Sequence, residues 1–117
     1  MAAGKLNLTI EQGATFARTI TVKVDEQPFN ISGYSFRGQI RKKWHDAEYE
    51  QAFTFSIADA QLGKVNMSLS DEETQLLQPV DSVYDVEMVS NDGTVTRLLD
   101  GIVFVSPNVT KIGRAHV

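Results

Sequence analysis

Residues 37–50, RGQIRKKWHDAEYE, hold the densest group of chemistry-bearing side chains in the 117-residue chain. Arg37, Arg41, Lys42 and Lys43 come before Trp44 and His45, and Asp46, Glu48, Tyr49 and Glu50 come after. Three kinds of chemistry use such residues. A histidine beside a carboxylate serves as a general base or, with Glu48, as a metal ligand. Basic side chains interleaved with an aromatic grip phosphates and stack on bases. An exposed tryptophan flanked by charge anchors a protein or glycan contact. The first is poorly provided for: His45 and His116 are the only histidines, no nucleophile-elbow sequence is present, and adjacent His45 and Asp46 make poor ligand geometry. The second is opposed by the three carboxylates in the same stretch and by a net charge of −4 over the chain. No catalytic residue, cofactor or metal is therefore expected, and neither nucleic acid nor membrane is expected as a partner. The interface candidates are Arg37, Arg41, Lys42, Lys43, Trp44 and Tyr49.

What must position these residues is read from the period of the apolar side chains, which is two. Leu6, Leu8 and Ile10 alternate with polar residues, as do Phe16, Ile20, Val22 and Val24. Next, past a connection holding Pro28 and Gly33, Tyr34, Phe36, Gly38 and Ile40 share one face of a strand, with Ser35, Arg37, Gln39 and Arg41 on the other. The stretch 37–50 thus becomes a strand and its exit loop. Phe53, Phe55 and Ile57 pair with Val65, Met67 and Leu69 in an expected hairpin. SDEETQLL predicts one short helical turn near 71–77: Ser70 is the N-cap, Glu73 completes a capping box, and Asp71 and Glu72 suit the positive end of the dipole. That role accounts for these carboxylates without acid–base chemistry. Tyr84, Val86 and Met88 then alternate with Asp85 and Glu87, and Asp92–Gly93 centres a tight turn. The alternation slips at Leu98 and Leu99, just before Gly101, which predicts a bulge or bend. Gly13 and Gly33 fall at turns like Gly93.

Six or seven short strands and one helical turn predict an all-β, antiparallel, immunoglobulin-like β-sandwich spanning 1–112 as a single domain. In that arrangement Tyr84 opens the penultimate strand and ties a corner through a hydroxyl–backbone hydrogen bond. The last residues, 113–117, fit no period and read as a disordered tail or a cloning remnant. There is no cysteine, which excludes disulfides and thiolate metal sites, and no apolar run approaches membrane-spanning length.

Charge divides along the chain. Residues 1–43 carry seven basic and three acidic side chains, net +4, and the remainder carries four basic and twelve acidic, net −8. Separate faces of opposite sign would steer copies into a head-to-tail ring; hairpin pairing would instead mix the charges.

LNLTIEQGATFARTITVKVDEQPFNISGYSFRGQIRKK, with the closing YDVEMVSNDGTVTRLLDGIVFVSPNVT, resembles the small β-sandwich proteins of tailed bacteriophages. These include the LtfC-like sandwich of collar and tail-fibre attachment proteins. The likeness runs from about Leu6 to Thr110. It implies a non-enzymatic virion protein, assembled in the bacterial host cytoplasm and located in the phage tail or neck. There it would be a homo-oligomeric ring or collar subunit contacting other tail or fibre proteins. A rival expectation is a host-surface module that recognises a glycan or protein through Trp44 and Tyr49.

Overall fold

A computed structural model describes residues 3–44, 46 and 48–109, and in it the apolar alternation becomes strands. In order along the described residues are β1 (Gly4–Lys5), β2 (Leu8–Glu11), β3 (Phe16–Thr21), β4 (Lys23–Val24), β5 (Gln27–Pro28), β6 (Ser35–Arg41), β7 (Gln51–Ala52), β8 (Thr54–Asp59) and β9 (Lys64–Leu69). The helix α1 (Asp71–Gln75) follows, and then β10 (Ser82–Val89) and β11 (Val95–Ser106). The fold is all-β. A larger sheet has the order β1-β11-β10-β6-β7, with β2 also on β11, and a smaller one has the order β3-β9-β8. Between them, Ile40, Tyr84, Val86 and Val103 of the larger sheet join Ile20, Val65, Met67 and Leu69 of the smaller in one buried cluster. Each such side chain contributes about 1.5–3 kcal/mol on leaving water.

One feature differs from the expected antiparallel pattern: the larger sheet is mixed. β1 and β2 both run parallel to β11, Leu8 lying opposite Val103 and Ile10 opposite Val105. After Glu11 the chain crosses to the smaller sheet, so the first strand pairs with the last and not with its sequence neighbour β3. The bulge falls where the slipped alternation places it. Val86 faces Leu99 and Glu87 faces Arg97, which leaves Leu98 as the extra residue, with its side chain buried.

Two apolar side chains assigned to the core lie outside it. Val24 is exposed because β4 leaves the small sheet to form a two-stranded ribbon with β5. Ile57 is exposed because β8 is an edge strand whose partner β9 covers only one side. Phe53 is buried where the chain passes from β7, paired with β6, to β8, paired with β9.

The helix begins with the expected capping box: Ser70 Oγ accepts from the Glu73 amide at 3.1 Å, and Glu73 Oε1 accepts from the Ser70 amide at 2.8 Å. It ends at Gln75, short of 77. The Leu76 and Leu77 amides donate to Glu73 and Thr74 carbonyls three residues back, which tightens the last turn and swings Leu77 into the core. Thr74 pins the turn from below. Its hydroxyl is fully buried, donates to the Ala14 carbonyl at 2.9 Å and accepts from the Gly13 amide at 3.0 Å. Gly13, Gly33 and Gly93 all have positive φ, as turn positions require. Beside Gly93, Asp92 accepts from the Ser90 hydroxyl and the Thr94 amide, and these bonds hold its carboxyl down at about 2. His45, His116 and the expected 113–117 tail lie outside the described residues.

Candidate interaction surface

β6 alternates Gly38 and Ile40 inward with Arg37, Gln39 and Arg41 outward, so the candidate residues begin on the outer face of the larger sheet. Arg37 Nε meets Glu87 Oε1 of β10 at 2.7 Å. Beside it, Asp85 lies 3.7 Å from Arg97 of β11. Burial, and then the charge of Glu87, push the Asp85 carboxyl up, with Arg97 and Arg41 pulling the other way. Further along, Lys5 Nζ reaches Asp100 at 2.7 Å. Basic residues of the first half of the chain are therefore interleaved with acidic residues of the second on a single face. The expected alternative of mixing by strand pairing is the one realised here; exposed pairs of this kind contribute little to stability individually.

Arg41 is committed to its own loop. Its guanidinium donates to the Asp46 carbonyl and to Gln39 Oε1, while the Asp46 amide returns to the Lys43 carbonyl at 3.1 Å. Glu50 fastens the far end, accepting from the Gln78 amide and the Ser82 hydroxyl, each at 3.3 Å. Held at both ends, the loop leaves Lys42, Lys43 and Trp44 outside, Trp44 with 58% of its surface exposed.

Trp44 and Tyr49 do not form one platform. Trp44 lines a hollow of about 50 Å³ with Gln39, Arg41, Val83 and Asp85 on the outer sheet face. Tyr49 lines an open cleft of about 460 Å³ with Lys42, Asp46, Glu48 and Glu50 of the loop and Leu76 at the end of the helix. Lys42 thus stands among three carboxylates, which cancels its pull on a phosphate.

Sequence reasoning missed the companions of Trp44. Val83 sits between Arg41 on β6 and Ile102 on β11, and Phe104 follows Ile102 on the same side. Ile102 and Phe104 are both more than a third exposed. The run Ile102–Val105 is apolar throughout, so its period conceals which pair faces outward; only the register against β10 reveals it. The result is an apolar row beside a charged ladder on one sheet face, an arrangement typical of contact surfaces.

Tyr84, by contrast, is structural. Its hydroxyl donates to the Leu6 carbonyl at 2.6 Å, with the ring edge-on to Phe53. Burial pushes the phenol up to about 12. The hydroxyl does bond to backbone, but not as the expected corner tie: it reaches the β1–β2 junction, 78 residues away. Among the described residues no three histidine, aspartate or glutamate side chains converge as a metal site, and no helix is long and apolar enough to cross a membrane. No protein-family model matches the chain, and no curated protein matches it as a relative.

Proposed function

We propose that the chain is a structural virion protein of a tailed bacteriophage, an oligomerising immunoglobulin-like β-sandwich subunit of the collar or tail-fibre attachment apparatus. The observation that carries the assembly role is the outer face of the larger sheet. There Trp44, Val83, Ile102 and Phe104 supply apolar contact area, and the Arg37–Glu87 and Lys5–Asp100 pairs form a polar margin. The immunoglobulin-like reading is supported by the strand order of the two sheets. The phage assignment itself rests on the likeness of the opening and closing strand motifs. Assembly is the mechanism: a rigid domain presents one face, and repetition in a ring multiplies weak contacts. Because the charges are interleaved, apolar contact and not polarity governs association, so oligomer size should change little with ionic strength.

The test is to purify phage particles that encode the chain, cross-link through lysines and identify the peptides joined to Lys42 and Lys43. Cross-links to a tail or neck protein, lost when particles are grown with Trp44→Ala, support the role. Absence of the chain from purified particles overturns it.

A host-surface module is the second reading, favoured by the half-exposed Tyr49 ring over a cleft edged by Asp46, Glu48 and Glu50. Glycan-array binding lost on Tyr49→Ala would favour it.

A further inference from the structure

The smaller sheet has two outer edges, and they are guarded differently. On β3, Arg18 occupies the inward-alternating position between Phe16 and Ile20, and a charge so placed on an edge strand opposes addition of another strand. β8 has no such guard. From Thr54 to Ala58 it carries no charge, proline or glycine. It pairs with β9 along one side, and among the described residues no backbone bond reaches its other side. Thr54, Ser56, Ile57 and Ala58 are all exposed, Ile57 to 47% even though it alternates onto the same side as Phe55 and the core. Charge returns only at Asp59, after the register slips beyond Ile57.

We propose that β8 is a site of strand addition by a second copy of the chain, the two β8 strands running antiparallel about a two-fold axis at Ser56. The strand's own composition selects this occupant. In an antiparallel self-pairing centred on Ser56, Phe55 of each copy meets Ile57 of the other, an aromatic–β-branched pair that covers both exposed isoleucines. Ser56 meets itself, and a hydroxyl that both donates and accepts tolerates its own copy where a charged group would not. The outer face continues the match. Ala17, Thr19, Asn66, Ser68, Thr54 and Ser56 leave the middle of the small sheet's exterior uncharged, with Lys64 and Asp59 paired at one end, away from the axis at Ser56. This interface lies on the opposite sheet from the Trp44 row and does not depend on the virion reading.

A contact of this size is weak, so the test is sedimentation equilibrium up to about 1 mM chain, with amide hydrogen exchange at the two ends of that range. The expected result is a monomer–dimer equilibrium in which amides of 54–57 gain protection as concentration rises. Ser56→Asp and Ser56→Lys should each be monomeric and folded, because Ser56 is exposed on the outer face, and an equimolar mixture of the two should restore the dimer. Trp44→Ala should leave the dimer intact. A monomer at every concentration, a dimer unaffected by Ser56→Asp, or protection gained only outside β8 would each overturn the proposal.

Discussion

Gly101 passes directly beneath Leu6: a β-carbon on residue 101 would stand 2.8 Å from the Leu6 carbonyl carbon and closer still to its oxygen. That oxygen is the one that accepts the Tyr84 hydroxyl, while the Leu6 amide donates to the Asp100 carbonyl at 3.0 Å and Asn7 Oδ1 accepts from the Ile102 amide. The junction between β1 and β2 is therefore seated on β11 through contacts that leave no room for a methyl group.

Gly101→Ala should push the Leu6 segment off β11 and lengthen the Tyr84 bond, at a cost of about 2–3 kcal/mol, since the obstructing atoms are backbone. Urea unfolding gives the number. Faster exchange of the Leu6 amide would place the damage at the junction.

Tyr84→Phe keeps the ring and loses the bond to Leu6, at about 1 kcal/mol; Tyr84→Ala opens a cavity and should cost about 3–5 kcal/mol. The pair should also differ from the parent in alkali. The phenol ionises at 10.0 when unfolded and at about 12 when folded, so stability holds below 10.0 and falls as pH rises above it. Melting temperatures followed upward from neutral pH should show that fall in the parent and a weaker one in Tyr84→Phe.

Asp25 and Glu26, the two residues that turn β4 into β5, have φ of 51° and 65° without being glycine. A two-residue turn with both φ positive is type I′, for which glycine is the favoured second residue. Glu26→Gly should therefore stabilise the protein by about 0.5–1 kcal/mol despite the added freedom of the unfolded chain. Thermal unfolding at matched concentration is sufficient to see it.

Thr74→Val preserves the shape of a fully buried side chain but deprives the Gly13 amide and the Ala14 carbonyl of their partner. A cost of about 2 kcal/mol is expected, with no change in far-ultraviolet strand signal. Thr74→Ser, which keeps the hydroxyl, should recover most of the loss.

The parts of the fold that were legible in the sequence are those decided within a few residues. Period two identifies the faces of β6, β9 and β10; Ser70 with Glu73 marks the helix start; Asp92–Gly93 marks a hairpin; the doublet Leu98–Leu99 marks the bulge. The parts that were not legible depend on distant partners. Alternation in 4–11 gives no sign that these residues lie parallel to β11, and Val24 and Ile57 look like core residues until the edge of the sheet is known. Asp25–Glu26 lacks the glycine or asparagine that announces a tight turn. At the candidate surface, the residue types in 37–50 were plain. That Arg37 is paired follows only from the register of β6 against β10, and that Arg41 is committed to its loop and that Trp44 and Tyr49 face different hollows follow only from the path of the loop between the sheet and the helix end.

The parallel ladder of β1 and β2 on β11 has a mechanical consequence. A load applied between Gly4 and Ser106 pulls the two strands past each other along their length, so every rung from Leu8–Val103 to Ser106–Glu11 is strained together instead of peeling open one at a time. Sliding of that kind needs several bonds to fail at once, whereas tension applied across the β10–β11 hairpin would meet them singly. The line joining β1 to the end of β11 is therefore a tougher direction than one that opens the β10–β11 hairpin.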